Sequence, residues 1–166
     1  MLRPIQSKLL PAHKGSFAIV ASEFNARYVN AMLRAARVEL KRAGARPVTV
    51  VRVPGAYEIP VVVARLARNA SYPEAAGPQN RTLSAIICLG VILRGETVHA
   101  AHIGEAVSRA LMEIQVRYEL PVIHEVLLLE NEEQARVRCL SKTHNRGTEA
   151  AQTALRMAGV LRHLRV

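Results

Sequence analysis

Groups able to bind an anion and move protons crowd into one short stretch, Arg94 to Glu105, which reads RGETVHAAHIGE. It lies directly behind one of the most apolar runs of the chain, Leu83 to Leu93 (LSAIICLGVIL). A strand that ends in such a loop and turns into a helix leaves unpaired N–H groups at the helix mouth, beside the positive end of its dipole. That terminus suits a phosphate. Gly95 lets the backbone come close, Glu96 follows, and Thr97 can cap the helix or donate its hydroxyl. His99 then sits one turn from the anion, and histidine is the side chain that gives and takes protons near neutral pH. The same residues also fit a plain threonine cap followed by a surface histidine.

Three other chemistries are less well served. His99, His102 and Glu105 share an i, i+3, i+6 spacing, but this is not a strong zinc pattern and no cysteine pair supports it, so His102 reads as packed or solvated. Ser108 and Ser141 lack the G-x-S-x-G context of a nucleophile elbow. No G-x-G-x-x-G follows a strand, which leaves a dinucleotide site without support.

The elements that must position these groups alternate along the chain. Ser16 to Ser22 is a short apolar run, and Asn25 can cap a helix with Val29, Leu33, Ala36 and Leu40 at helical spacing, ended by Gly44. The β-branched RPVTVVRV predicts a second strand, VPGAYEIP a turn, and the chain from Ile59 to Asn69 a short helix. SYPEAAGPQNRT, with its prolines and glycine, predicts a surface loop. The run up to Leu93 is apolar on both faces, as a central parallel strand covered by helices on both sides would be. A long helix from about Val98 to Tyr118 follows, with Ile103, Val107, Ala110 and Ile114 as its apolar stripe. Pro121 stops it. Then come a fourth strand (Val122 to Leu129), a short helix (Glu132 to Leu140) and an Ala-rich last helix from Arg146 to about Leu164. This order predicts an α/β, three-layer, flavodoxin-like fold with a four-stranded parallel sheet.

In such a fold the ligand sits beyond the carboxyl ends of the strands. Four loops qualify: Ser22 to Asn25, Pro54 to Glu58, Arg94 to Thr97, and Glu130-Asn131. The first three together supply an aromatic ring, carboxylates, glycines, an amide and a hydroxyl. A polar heterocycle with a sugar-like tail needs such a set.

Length and composition bound the rest. The chain has 166 residues, enough for one domain with a real core, and half of them are hydrophobic. Aromatics are only 4%, so the core must be aliphatic. We expect an extended arm over residues 1–15 and a single domain over 16–166. Two cysteines, Cys88 and Cys139, make no disulfide framework and point to a reducing cytoplasm. The longest apolar run is too short to cross a bilayer, so no membrane partner is expected. The formal charge of +10 permits an anionic partner. Nucleic acid is not favoured, because the basic residues are spread along helices with no aromatic interleaving.

Taken together, SEFN, VPGAYEIP, LGVILRGETVH, ENEEQARVR and HNRGTEAA, in this order and spacing, resemble the lumazine synthase family over about Ser16 to Gly159. That family condenses 5-amino-6-(D-ribitylamino)uracil with 3,4-dihydroxy-2-butanone 4-phosphate in riboflavin biosynthesis, without cofactor or metal. The resemblance implies that Phe24, beside Asn25, stacks on the pyrimidine and that Glu58 binds ribityl hydroxyls. Ala56 and Tyr57 line that pocket with backbone amides, and Val91, Ile92 and Leu93 flank the heterocycle. Gly95, Glu96 and Thr97 hold the phosphate, joined by Arg138 from a neighbouring subunit, and His99 shuttles protons. His124 and Arg146 also come from a neighbour in the family's arrangement. The resemblance further implies a homopentamer, with the short turn in RCLSKTHNRG favouring a sixty-subunit icosahedral shell, and it leaves room for association with riboflavin synthase.

The chain departs from the family's pattern at several positions. Val98 replaces the usual proline, Ala100-Ala101 a Phe-Asp pair, His124 a phenylalanine, and Arg146 a lysine. These changes spare the phosphate clamp and the base, and Ala100-Ala101 with His124 motivate an alternative: a poorly catalytic lumazine- or flavin-binding protein of the same fold.

Overall fold

A computed structural model describes residues 15–72 and 83–164. The arm expected over 1–15 and the loop expected over 71–82 fall almost wholly outside the described residues. Four parallel strands form the sheet: β1 (Ser16–Ser22), β2 (Val48–Val53), β3 (Leu83–Leu93) and β4 (Val122–Leu129), in the order β2-β1-β3-β4. The helices between them are α1 (Ala26–Arg42), α2 (Ile59–Ser71) and α3 (His99–Tyr118). After β4 come α4 (Glu132–Ala135), a π-helical continuation (Arg136–Leu140) and α5 (Arg146–Leu164). This is the expected three-layer α/β architecture.

Side-chain alternation along the strands builds a core on each face. Phe17, Ile19 and Ala21 of β1 join Ile87 and Leu89 of β3 under α1 and α5. Ala18 and Val20 join Ile86 and Cys88 under α2 and α3. The central position of β3 explains why its sequence shows no polar alternation. Its tip, at Val91, Ile92 and Leu93, stands at the rim of the sheet.

Several local expectations are corrected. β2 begins at Val48 rather than at Arg46, since Pro47 has no N–H to give to a ladder; its carbonyl instead accepts from Phe17 N–H at 3.0 Å. On α3 the buried residues are Ala100, Val107 and Leu111, with Ile103 and Ile114 packed at the margin. An Ala-rich helix can offer a flat face to another copy, but that of α5 is turned inward. Ala150, Ala151, Ala154 and Ala158 are buried inside the subunit, where α5 packs closely on α1.

Candidate functional site

The carboxyl ends of β1, β2 and β3 open into one cavity of about 620 Å³, and α3 closes its far side. Each wall follows from local sequence. Beyond β1 the chain turns sharply through Asn25, which adopts a left-handed conformation (φ 55°). Asn25 precedes α1 as expected but does not cap it with its side chain. Its Nδ2 instead donates to the carbonyl of Val91 at 2.8 Å, tying the β1 loop to the tip of β3. Phe24 projects beside it, 70% exposed, an unusual state for phenylalanine and one suited to covering a flat ligand.

Beyond β2, Gly55 leads into a single 3₁₀ turn over Ala56–Glu58. The N–H of Gly55 donates to Glu58 Oε2 at 2.8 Å, which fixes that carboxylate over its own loop. A Cβ on residue 55 would meet Glu58 Oε2 at 2.8 Å and the Phe24 ring at 3.2 Å, so a side chain there would push both from these positions. Val91 and Ile92, both buried, and half-buried Leu93 form the apolar floor.

Beyond β3, Arg94 pairs with Glu130 through Nη1 contacts of 2.9 and 3.1 Å, and its N–H donates to the Leu129 carbonyl at 2.8 Å. Gly95, Glu96 and Thr97 follow as an exposed loop leading to the helix mouth. Val98 occupies the cap position and no side chain caps α3, so Thr97 does not take the role its type permits. From the first turn of α3, His99 and His102 both face the cavity, with Ile103 alongside.

Nine residues predicted from sequence therefore line one cavity: Phe24, Asn25, Ala56, Tyr57, Glu58, Val91, Ile92, Leu93 and His99. Gly95, Glu96 and Thr97 adjoin it without lining it. Sequence reasoning passed over His102. The available signal was its i, i+3 relation to His99, which puts both on one face of a helix.

His124, Arg138 and Arg146 do not line this cavity. His124 lies on β4, with Nε2 2.9 Å from Ser108 Oγ. The serine hydroxyl gives its proton to the Gly104 carbonyl at 2.7 Å, which leaves it to accept from a His124 Nε2–H. Partial burial pushes the His124 pKa down, which favours the neutral ring. Arg146 is held by two carboxylates of its own chain. Its Nε and Nη2 meet Glu125 at 3.0 and 2.9 Å, and Nη1 reaches Glu149. Burial nevertheless pushes the Glu125 carboxyl up to about 7, against the charge and hydrogen bonds of Arg146, which pull it down. Arg138 is exposed on the π-helical turn.

Comparison with known proteins identifies the family. The 6,7-dimethyl-8-ribityllumazine synthase family matches residues 14–162. A protein of that name from Stenotrophomonas maltophilia (strain R551-3) is 37% identical over 150 residues, 89% of this chain and 90% of the relative. Similar proteins of the same name come from Clostridium kluyveri, 35% identical over 89% of this chain and 90% of its own, and from Xanthomonas oryzae pv. oryzae, 35% identical over 87% and 88%. A cavity at the strand ends, a helix mouth behind a glycine loop and this near-full-length likeness lead to one assignment: the chain belongs to the 6,7-dimethyl-8-ribityllumazine synthase family, transferases of riboflavin biosynthesis.

Proposed function

We propose that the cavity at the ends of β1, β2 and β3 is where 5-amino-6-(D-ribitylamino)uracil condenses with 3,4-dihydroxy-2-butanone 4-phosphate. The observation that carries this reading is the convergence of Phe24, Glu58 and His99 from three separate strand ends on one apolar-floored cleft. In it, Phe24 stacks on the pyrimidine, with Asn25 holding the loop that carries it. Glu58 and the backbone of Ala56 and Tyr57 bind the ribityl chain. Gly95, Glu96 and Thr97 receive the phosphate at the mouth of α3, and His99 exchanges protons with the reacting carbons and nitrogens. An amine and a ketone react unaided once held together, so positioning supplies most of the rate. No strongly activated nucleophile is required.

The reading extends to assembly. His124, Arg138 and Arg146 complete the cavity of a neighbouring copy within a pentamer, and the pentamers close into a sixty-subunit shell. Two buried, unpaired cysteines support a reducing, cytoplasmic setting. Mixing the two substrates with the protein is expected to generate lumazine absorbance well above the uncatalysed rate, and Phe24→Ala to raise KM for the pyrimidine. Turnover equal to background would leave a ligand-binding protein of this fold in place of the enzyme.

A further inference from the structure

We propose that His102 is a second catalytic residue of the cavity, the acid that protonates the departing hydroxyl when the first condensation loses water. This rests on the cavity being the condensation site.

His99 and His102 project from the first turn of α3 into the same space. Between them Ala100 and Ala101 carry no polar group, so these two imidazoles are what the first turn of α3 offers for proton transfer. The other titratable side chains lining the cavity are Tyr57 and Glu58, and Glu58 is already tied to the Gly55 N–H. The chemistry makes two opposite demands. Attack of the 5-amino nitrogen on the ketone gives a carbinolamine. Its C–O bond then breaks as the nitrogen lone pair forms C=N, and the hydroxyl must gain a proton to leave as water. Afterwards a proton must be taken from the adjacent carbon, so that a C=C bond forms as the C–O bond to phosphate breaks and phosphate departs with the electron pair. An imidazolium that has given its proton to the hydroxyl is left as a base, but a single side chain would have to reach both the nitrogen end and the phosphate end of the substrate, whereas two at different places can divide them. Position assigns the roles. His99 opens α3, next to the phosphate loop, and takes the carbon proton. His102 lies one turn further from that loop and serves the end where nitrogen meets the carbonyl.

The test compares His102→Ala and His102→Gln with the unsubstituted protein on two carbonyl substrates. One is the phosphorylated ketone. The other is butane-2,3-dione, which reaches the same lumazine through two amine–carbonyl dehydrations with no phosphate to expel. His102 is exposed on a helix surface, so both variants are expected to fold and assemble normally, as sizing will verify. The expected result is a fall in kcat of about 10–100-fold on both substrates, with KM nearly constant and partial rescue of His102→Ala by added imidazole. A loss on the phosphorylated substrate alone, a rise in KM alone, or an unchanged kcat would overturn the assignment. Phe24→Ala, run in parallel, separates the two ideas. If it raises KM for the pyrimidine while His102→Ala leaves kcat unchanged, only the role of His102 fails; if neither variant changes either constant, the cavity itself is not the site.

Discussion

The carboxylate of Glu125 sits 6% exposed beneath α5, and its titration carries a consequence for stability. An unfolded glutamate titrates near about 4.3, whereas burial raises this one to about 7 in the folded chain. The folded state thus holds the proton more tightly. Its contribution to stability is complete below the unfolded value and is lost as pH rises through the folded one. Glu125→Gln is expected to flatten the dependence of urea midpoints on pH between about 4 and 7; a trend that survives the substitution would place the titration elsewhere. At the proposed site, His99→Ala is expected to lower kcat by roughly 10–100-fold, at the low end of acid–base effects because the reaction partly runs unaided. Arg138→Ala should chiefly raise KM for the phosphorylated substrate. Steady-state kinetics with each substrate varied in turn checks both, and an unchanged kcat for His99→Ala would make it a helix-surface residue. Residue types at the strand ends were readable because glycine, proline and an exposed aromatic mark loops. The Glu125–Arg146 pair was not, since β4 and α5 bring together residues with no shared local pattern. His102 needed the rotational register of α3, which sequence fixes only to within a residue or so at a helix start.

Among the elements, α1 and α5 approach so closely that one glycine decides the contact. A Cβ on Gly147 would lie 2.0 Å from the Met32 carbonyl oxygen, an overlap with backbone that no rotamer change relieves. The same glycine donates its N–H to Asn145 Oδ1 at 2.9 Å, and Asn145 Nδ2 donates to the Cys139 carbonyl, so the turn into α5 is held from both sides. Gly147→Ala is expected to cost about 2–3 kcal/mol or more, as overpacking at a rigid contact does, seen as a lower urea midpoint with an unchanged slope. A midpoint equal to that of the unsubstituted protein would mean that α5 can shift without penalty. Element types and order were legible from periodicity, because β-branched runs and helical stripes alternate cleanly along this chain. The partner of the Ala-rich helix was not. Small residues permit close packing against a helix of the same subunit or of another, and the pattern is the same in both cases.

For the whole molecule, the exposed apolar side chains that favour assembly lie along α3. Val98, Met112 and Val116 are 68%, 58% and 68% exposed, and helical spacing puts them on one stripe with the Glu105–Arg109 pair between them. Apolar side chains aligned on a single helix face suit burial against another copy better than contact with water. The same copy would carry His124, Arg138 and Arg146 to the cavity, which links assembly to turnover. Met112→Glu with Val116→Glu is therefore expected to release monomers and to abolish most activity together, although neither residue lines the cavity. Closure of the proposed pentamers into a shell would be opposed by the net charge of +10, since like-charged units repel unless that charge faces solvent or bound anions. Shell formation should consequently strengthen with added phosphate or salt, which screens charge over a Debye length of about 10 Å at 0.1 M. Native mass spectrometry and negative-stain images across a salt and phosphate series provide the check. A particle of pentamer mass under every condition would eliminate the shell, and an active monomer would eliminate the shared site as well.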